Sequence, residues 1–333
     1  MTTSVLICDD SSVARKQMAR TLGSGWDFSL SFATNGAEAI DAIKAGKGDL
    51  LLLDLNMPVM DGYQTLEAIR REGLNTIPIV VSGDIQPEAR ERVMRLGALA
   101  FIRKPVVKTE IDEVLTRYGL VREAGAVASL EEEEGDQSLE LQACCQEAAN
   151  IAMGQAAELL ARLLDVFVVL PIPNVNLLEP GELAMTLSAG REGGSVSVVS
   201  QGFIGGGIGG EALLLVYDTS REELARLLRR PDGIDDSEER ELLMDMTSLL
   251  IGAFLKGFAE QLDVQFSQGH PVILGQHIGT SEIVRRNTQS WNETLAIEIS
   301  YAFEEYDVHF DLMVLITEDS LDRLRSKLAF LLE

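Results

Sequence analysis

Five polar side chains follow predicted strands in the first 120 residues, and their types suit phosphoryl chemistry. Asp9 and Asp10 come directly after the first apolar run, Asp54 ends the third, Ser82 ends the fourth, and Lys104 follows the fifth. Carboxylate oxygens are the ligands that Mg²⁺ prefers, and a rigidly held carboxylate can act as a nucleophile. A lysine supplies a cation for a phosphate oxygen. The set predicts a site at which Asp54 accepts a phosphoryl group beside a divalent cation.

The elements that position these residues alternate between apolar runs and amphipathic stretches, which is typical of βαβ units and a parallel sheet. The predicted strands are 4–8, 28–33, 50–54, 77–82 and 99–103. The predicted helices are 11–22, 36–46, 62–72, 87–96 and 107–118. We therefore expect an α/β doubly wound fold with a five-stranded parallel sheet. Each polar residue alone would more often be a cap or a turn residue, but all of them would meet at the carboxyl edge of this sheet.

Residues 1–120 resemble a response-regulator receiver domain of the CheY type, which has a flavodoxin-like fold. The motifs that carry the resemblance are Asp9-Asp10, Asp54-Leu55-Asn56-Met57-Pro58, Asp61-Gly62, Ser82 and Lys104-Pro105. The resemblance implies that a sensor histidine kinase phosphorylates Asp54.

The same resemblance assigns roles to individual residues of the site. It implies that Mg²⁺ is held by Asp10, Asp54 and the backbone carbonyl of Asn56, with Asp9 acting through a water molecule. It implies further that Ser82 and Phe101 form the family's switch pair, with Lys104 binding the phosphoryl group. Gly83 and Asp84 fill the positions that tune the lifetime of that group.

The distribution of charge and cysteine limits the class of protein. A length of 333 residues suggests two or three domains. The net charge is −25, of which −2 falls in residues 1–120 and −23 in residues 121–333. Because nucleic-acid binding needs clustered Lys and Arg, a DNA-binding output is excluded and protein partners are favoured. Three cysteines form no disulfide framework and no metal-binding spacing.

Apolar segments give no sign of a membrane span or a leader peptide. The longest apolar runs, such as Leu249–Leu255, are interpreted as single helical turns. Met1 leads almost at once into the first predicted strand, without a basic segment or a cleavage site. These features predict a cytoplasmic location.

An acidic, flexible linker is predicted at residues 121–137, and a second domain at residues 138–333. This second domain contains an internal repeat, about 138–235 and 236–333, with a period near 98 residues. Both copies have an apolar helix, and in both 22 residues separate a polar helix residue from a proline: Asn150 and Pro173, Ser248 and Pro271.

Glu147 and Asn150 are three residues apart and share one face of the first helix. An ordinary solvent-facing stripe is the plain alternative, but the repeated spacing favours a function.

Residues 138–333 resemble the CheC/CheX/FliY family of phosphatases, which implies an α+β domain with a pseudo-twofold repeat. The family pattern consists of four fixed positions: an acidic or Ser residue, Glu, Asn and Pro. Any three, two and 22 residues, respectively, separate these positions. The first copy has Glu147, Asn150 and Pro173, with Ala143 in the leading position. The second copy has Glu241 in that position, but Asp245 and Ser248 replace Glu and Asn. The resemblance therefore implies one working site and a degenerate second one.

This second resemblance implies hydrolysis of the aspartyl phosphate of a CheY-like receiver, and we expect phosphorylation of Asp54 to control this phosphatase. Asn150 would orient the attacking water, and Glu147 would pair with the receiver's lysine. The substrate would be a separate phospho-receiver or Asp54 of this chain or of a homodimer mate. The alternative is a non-catalytic adaptor that binds a motor or chemoreceptor-array protein when Asp54 is phosphorylated.

A glycine-rich stretch, Gly205–Gly210, formally contains GxGxxG. Because an apolar strand and not a helix follows it, the stretch predicts a hairpin turn and no dinucleotide site.

Overall fold

The computed structural model describes residues 3–23, 28–118, 137–179, 182, 195–227, 235–279 and 294–329. Contacts divide the chain into two compact units, residues 1–147 with 330–333 and residues 148–329. The predicted linker, 121–137, lies outside the described residues except for Gln137, with which a helix begins.

The first unit contains a parallel sheet with the strand order β2-β1-β3-β4-β5, so the predicted five-stranded sheet is confirmed. The strands are β1 (Thr3–Cys8), β2 (Phe28–Ala33), β3 (Leu50–Leu53), β4 (Ile77–Ser82) and β5 (Ala100–Arg103). The helices are α1 (Ser12–Gly23), α2 (Gly36–Lys44), α3 (Gly62–Glu72), α4 (Pro87–Leu96) and α5 (Lys108–Arg117).

The four leucines of β3 show why the central strand is apolar along its whole length. All four are buried, and they alternate between two cores because successive side chains of a strand point to opposite faces. Leu51 and Leu53 join a core that includes residues of α2 and α3, whereas Leu50 and Leu52 join one that includes residues of α1 and α5. Helices thus cover both faces, and β3 is fixed rigidly at the centre of the sheet.

The second unit contains an eight-stranded sheet whose pairings are all antiparallel. Its main strand order is β10-β8-β9-β13-β12-β6, while β11 pairs with β8 and β7 pairs with β12. The strands are β6 (Val168–Val169), β7 (Asn174–Leu178), β8 (Ser195–Gly205), β9 (Ile208–Tyr217), β10 (Ser267–Gln268), β11 (Val272–Gly279), β12 (Thr294–Phe303) and β13 (Tyr306–Thr317).

A similar order of elements occurs twice along the chain from residue 137. Each series has a long helix, shorter strands, a long hairpin, a 3₁₀ turn and a short helix. The helices are α6 (Gln137–Leu164), α7 (Arg221–Leu227), α8 (Asp236–Leu262) and α9 (Leu321–Leu328). The 3₁₀ turns, Asp218–Ser220 and Glu318–Ser320, each follow the second strand of a hairpin.

The interpretation of Leu249–Leu255 as a single helical turn is wrong, because this run lies inside the 27-residue helix α8. Within the described part of the chain, α8 is the one helix that is long and apolar enough to cross a membrane by length and composition. Its most apolar window is 56% buried, and the rings of Phe254 and Phe258 stack 5.8 Å apart without exposure. Because α8 packs against β8 and β9, its composition fits a helix of a protein core.

The glycine-rich stretch forms the tight turn between β8 and β9, so the predicted hairpin is confirmed. Gly205 pairs with Ile208, and the two residues between them, Gly206 and Gly207, have φ of 61° and 82°. Two consecutive positive φ angles are the requirement of a type I′ turn, which glycine meets without steric cost. The turn leads into a strand, so it has no helix N-terminus for a dinucleotide phosphate.

Candidate functional site

Three carboxylates meet at the carboxyl edge of the parallel sheet. One ligand oxygen from each of Asp9, Asp10 and Asp54 lies within 4.8 Å of the other two. Asp9 and Asp10 follow β1 and Asp54 follows β3, which pairs with β1. The backbone N–H of Asp54 donates to the carbonyl of Cys8 at 2.9 Å, which holds the two strand ends together. Asp9 and Asp54 are fully buried, so their charges interact with little screening by water.

Lys104 completes the cluster from the end of β5. Its Nζ lies 2.7 Å from Asp9 Oδ2 and 3.4 Å from Asp54 Oδ1, and its side chain is 2% exposed. The backbone N–H of Lys104 donates to the carbonyl of Ser82 at 2.9 Å, which fixes the start of the Lys104-Pro105 turn to the end of β4. A single buried ammonium group therefore serves two of the three carboxylates.

The cluster carries more negative charge than Lys104 neutralises. Burial raises the pKa of Asp54 well above its usual value; Lys104 opposes this shift, while Asp9 and Asp10 add to it. Burial and the neighbouring Asp9 also raise the pKa of Asp10, to about 6. Burial disfavours the ammonium form of Lys104, but the carboxylates of Asp54 and Asp9 together raise its pKa well above the usual value. The site is therefore suited to gain a cation.

The donor set fits Mg²⁺, which takes oxygen ligands and commonly one or two carboxylates. Asp54 Oδ2 accepts the backbone N–H of Asn56 at 3.2 Å. Asp54 Oδ1 is buried, and apart from the ion pair with Lys104 at 3.4 Å it accepts no hydrogen bond within the described part of the chain. The predicted ligand role of the Asn56 carbonyl stays a prediction, as does the water-mediated role of Asp9.

Ser82 lies at the end of β4 in a buried network that the sequence did not predict. Its Oγ accepts the backbone N–H of Asp84 at 3.1 Å, and Asp84 Oδ1 accepts the backbone and side-chain N–H groups of Gln86, both at 3.1 Å. Burial raises the pKa of Asp84 to about 6. Phe101, the predicted switch partner, is half-buried on β5 and packs against the core on the α2 and α3 face. No local pattern distinguishes Gln86 from a solvent-exposed glutamine.

Glu147 on α6 is the last residue of the first unit, and its carboxylate contacts the lysine of the site. Its Oε1 lies 3.3 Å from Lys104 Nζ, and its side chain is 3% exposed. Burial raises the pKa of Glu147, whereas Lys104 lowers it. A glutamate so buried is stable only when it is paired or protonated. The Glu147–Lys104 pair therefore joins a residue of the phosphatase-like pattern to a lysine of the receiver-like pattern.

Asn150 lies one turn further along α6, in the second unit. Its side chain is 7% exposed, and its Oδ1 is buried without a hydrogen-bond donor from the described residues. A carboxamide oxygen left unsatisfied on an apolar helix costs free energy, which suggests that it serves a ligand.

The second copy of the pattern has a different environment. Glu241, Asp245 and Ser248 are all exposed on α8. The hydroxyl of Ser248 donates to the carbonyl of Met244 at 2.9 Å, a local bond within the helix. These residues have the solvent-facing character of an ordinary polar stripe.

Gly62, the first residue of α3, holds the helix close to Asp54. Its N–H donates to the carbonyl of Leu55 at 2.9 Å, and a Cβ at this position would lie 2.4 Å from the carbonyl oxygen of Asp54. We therefore expect Gly62→Ala to displace the loop after β3 and to lower the free energy of unfolding by about 1–3 kcal/mol. Urea denaturation measures this loss, with Gly252→Ala as a control because a Cβ at Gly252 comes no closer than 3.7 Å to another atom, an ordinary van der Waals contact. Equal losses in the two variants would contradict the expectation.

Comparisons with known proteins agree with this geometry in the first unit. Residues 5–116 match the family described as the response regulator receiver domain. The sensor histidine kinase RcsC of Escherichia coli strain K12 is 33% identical over 115 residues, which cover 34% of this chain and 12% of that protein. The protein-glutamate methylesterase/protein-glutamine glutaminase 3 of Geobacter sulfurreducens is 38% identical over 128 residues, covering 38% of this chain and 34% of that protein.

A solved structure, Thermotoga maritima FliY, covers 57% of this chain and 96% of its own chain, with 17% identity and a TM-score of 0.44. The chain spans about a third or less of the length of the two curated relatives named above. The matched family and the five-stranded parallel sheet lead to one conclusion: the N-terminal part of the chain, residues 5–116, is a CheY-like response regulator receiver domain.

Proposed function

We propose that this protein is a response regulator of a two-component system that also acts as an aspartyl-phosphate phosphatase. A sensor histidine kinase would phosphorylate Asp54, and residues 138–333 would hydrolyse the aspartyl phosphate of CheY-like receivers. The observation that carries the phosphatase proposal is the buried ion pair between Glu147 and Lys104.

The receiver step needs a nucleophile, a cation and a means of holding the transferred group. A carboxylate oxygen of Asp54 would attack the phosphorus of the phosphohistidine, so that the O–P bond forms as the N–P bond breaks. Mg²⁺, held by Asp10, Asp54 and the carbonyl of Asn56, would neutralise charge on the phosphoryl oxygens when bound. Lys104 is positioned to bind one such oxygen, because its Nζ is 3.4 Å from Asp54 Oδ1.

The phosphatase step would use Glu147 for docking and Asn150 for chemistry. Glu147 pairs with Lys104 in this chain, which supports the proposal that it recognises the corresponding lysine of a substrate receiver. Asn150 has an unsatisfied Oδ1 that would accept a hydrogen bond from water and orient it toward the phosphorus. Water would then break the O–P bond, releasing inorganic phosphate and restoring the aspartate. Positioning supplies the rate, without a covalent intermediate on the phosphatase.

An adaptor without catalysis is the second candidate, and the second copy of the pattern favours it. In the second copy, Asp245 and Ser248 replace the Glu and Asn of the pattern, and both are exposed. In the first copy, Ala143 replaces the leading residue of the pattern. Such an adaptor would bind a motor or chemoreceptor-array protein when Asp54 is phosphorylated. In both cases we propose a cytoplasmic protein of a chemotaxis-type phosphorelay.

The proposed function is tested by turnover. The purified 333-residue chain is incubated with Mg²⁺ and acetyl phosphate to detect phosphorylation at Asp54 by mass spectrometry. It is then added at one-tenth of the concentration of a phosphorylated stand-alone CheY-type receiver. Release of several equivalents of phosphate per chain at a rate well above the receiver's own rate supports an enzyme. Release at the receiver's own rate, across several receivers, favours the adaptor.

Substitution of Glu147 with glutamine is expected to weaken docking more than chemistry. Removing one partner of a buried ion pair costs about 2–5 kcal/mol, so the KM for the phospho-receiver should rise at least roughly tenfold with a smaller change in kcat. Steady-state phosphate release measures both constants. Glu158→Gln is the matched control, because Glu158 lies on the same helix and pairs with Arg162 at the surface. An unchanged KM for Glu147→Gln would contradict the docking role.

A further inference from the structure

We propose that Arg15 is a positioning residue of the cation site, although it contacts none of the three carboxylate groups. Its Nη1 donates to the backbone carbonyl of Asp9 at 2.6 Å and to that of Asp10 at 3.0 Å. One guanidinium nitrogen therefore holds the main chain of both acidic residues that follow β1. The inference rests on the proposed function to the extent that these carboxylates hold Mg²⁺.

Arg15 donates to a short turn that includes Asp9 and Asp10, and this turn is hydrogen-bonded to the start of α1. The backbone N–H of Ser11 donates to Asp9 Oδ1 at 2.9 Å, and the Ser11 hydroxyl accepts the N–H of Ala14 at 3.2 Å. The N–H of Arg15 donates to the carbonyl of Ser11 at 3.1 Å, so the side chain of Arg15 starts one helical turn beyond the site. From there it reaches back to the turn and satisfies two carbonyl groups near the buried carboxylates.

Arg15 can act on Mg²⁺ in two opposing ways. Its positive charge, close to the cluster, repels a second cation and weakens binding. Its hydrogen bonds fix the orientation of Asp9 and Asp10, and groups that orient metal ligands typically contribute 10–100-fold to metal affinity. Because the guanidinium donates to carbonyl oxygens, it consumes none of the carboxylate oxygens that a cation needs. The geometry therefore points to positioning as the larger effect.

The test is calorimetric titration of the 333-residue chain with MgCl₂ at neutral pH. We expect Arg15→Ala to raise the Kd for Mg²⁺ roughly tenfold or more, and Arg15→Lys to raise it about threefold, because an ammonium group keeps the charge and N–H donors but lacks the fixed planar geometry of the guanidinium group. Arg20→Ala, on the same helix, is the control and should leave the Kd unchanged. A Kd for Arg15→Ala equal to or lower than that of the wild type would overturn the inference.

The melting temperature in EDTA separates positioning from a purely structural role. If Arg15→Ala lowers this temperature but leaves the Kd unchanged, Arg15 only stabilises the fold and the inference is wrong. If Arg15→Ala does not fold, the Kd of Arg15→Lys decides, and a wild-type value would overturn the inference. If the wild-type protein itself binds no Mg²⁺, the magnesium part of the proposed function fails. If the wild-type protein binds Mg²⁺ and Arg15→Ala binds it equally well, only the inference about Arg15 fails.

Discussion

Asn150→Ala is expected to lower the accelerated rate of phosphate loss from a CheY-like receiver about 10²-fold or more, without weakening the complex with that receiver. The reason is that a carboxamide that orients the attacking water acts on the chemical step, and misplacing a reacting group by about 1 Å can cost roughly 10²-fold in rate. The docking glutamate, Glu147, is untouched by this change. Single-turnover phosphate release measures the chemical step, and receiver binding by fluorescence anisotropy measures the complex.

Ser248→Ala is the matched control for this experiment, because Ser248 occupies the equivalent position in the second copy. Its hydroxyl is used within α8, so its removal should leave the rate unchanged. Equal loss of activity in both variants would mean that the two copies act together. No loss in either would contradict the role of Asn150 and favour the adaptor.

Asp54→Asn is expected to eliminate phosphorylation of this chain and, in EDTA, to make the receiver unit more stable. An amide cannot act as the nucleophile, so mass spectrometry should find no phosphoryl group after incubation with acetyl phosphate. Lys104 keeps Asp9 as a partner at 2.7 Å, so the substitution leaves no unpaired buried ammonium group.

The sign of the stability change follows from the raised pKa of Asp54. A carboxyl group with a raised pKa binds protons more tightly in the folded state than in the unfolded state. Its contribution to stability therefore decreases as the pH rises from the unfolded value of about 4 through the folded value. At neutral pH, Asn removes this cost, so we expect a higher free energy of unfolding and a higher melting temperature than in the wild type.

Calorimetry in EDTA at pH 7 and again near pH 4 checks this expectation. The difference between wild type and Asp54→Asn should shrink at the lower pH, because the raised pKa keeps Asp54 protonated in the folded state while about half of the unfolded chains carry the proton. Asp112→Asn, a change at a surface carboxylate, is the control. A lower melting temperature for Asp54→Asn at pH 7 would show that its charge stabilises the folded protein.

The sequence predicted the receiver fold because its local signals all agree. Leu50–Leu53 are apolar on both faces, as a central parallel strand must be, and the polar residues after each strand follow from the shared carboxyl edge. The bounds 28–33, 62–72, 77–82 and 87–96 are the same in the sequence prediction and in the structure.

Features that depend on contacts distant in sequence could not be predicted in this way. Nothing local shows that Arg15 reaches back to two carbonyl groups, or that Glu147 pairs with a lysine 43 positions earlier in the chain. The apolar run at Leu249–Leu255 alone predicts one helical turn, because the residues at the start of the 27-residue helix α8 are polar and do not continue the run. The assignment of Glu147 and Asn150 came from repeated spacing and a family resemblance, and it stays a prediction.

The most direct test of the central claim is the rate of phosphate release from a phosphorylated CheY-like receiver mixed with the Asp54→Asn protein. The Asp54→Asn protein cannot accept a phosphoryl group at position 54, so all the phosphate released comes from the substrate receiver. We predict acceleration by Asp54→Asn and none by the Asp54→Asn, Asn150→Ala double variant. Equal rates for the two proteins, whether fast or slow, would contradict the account.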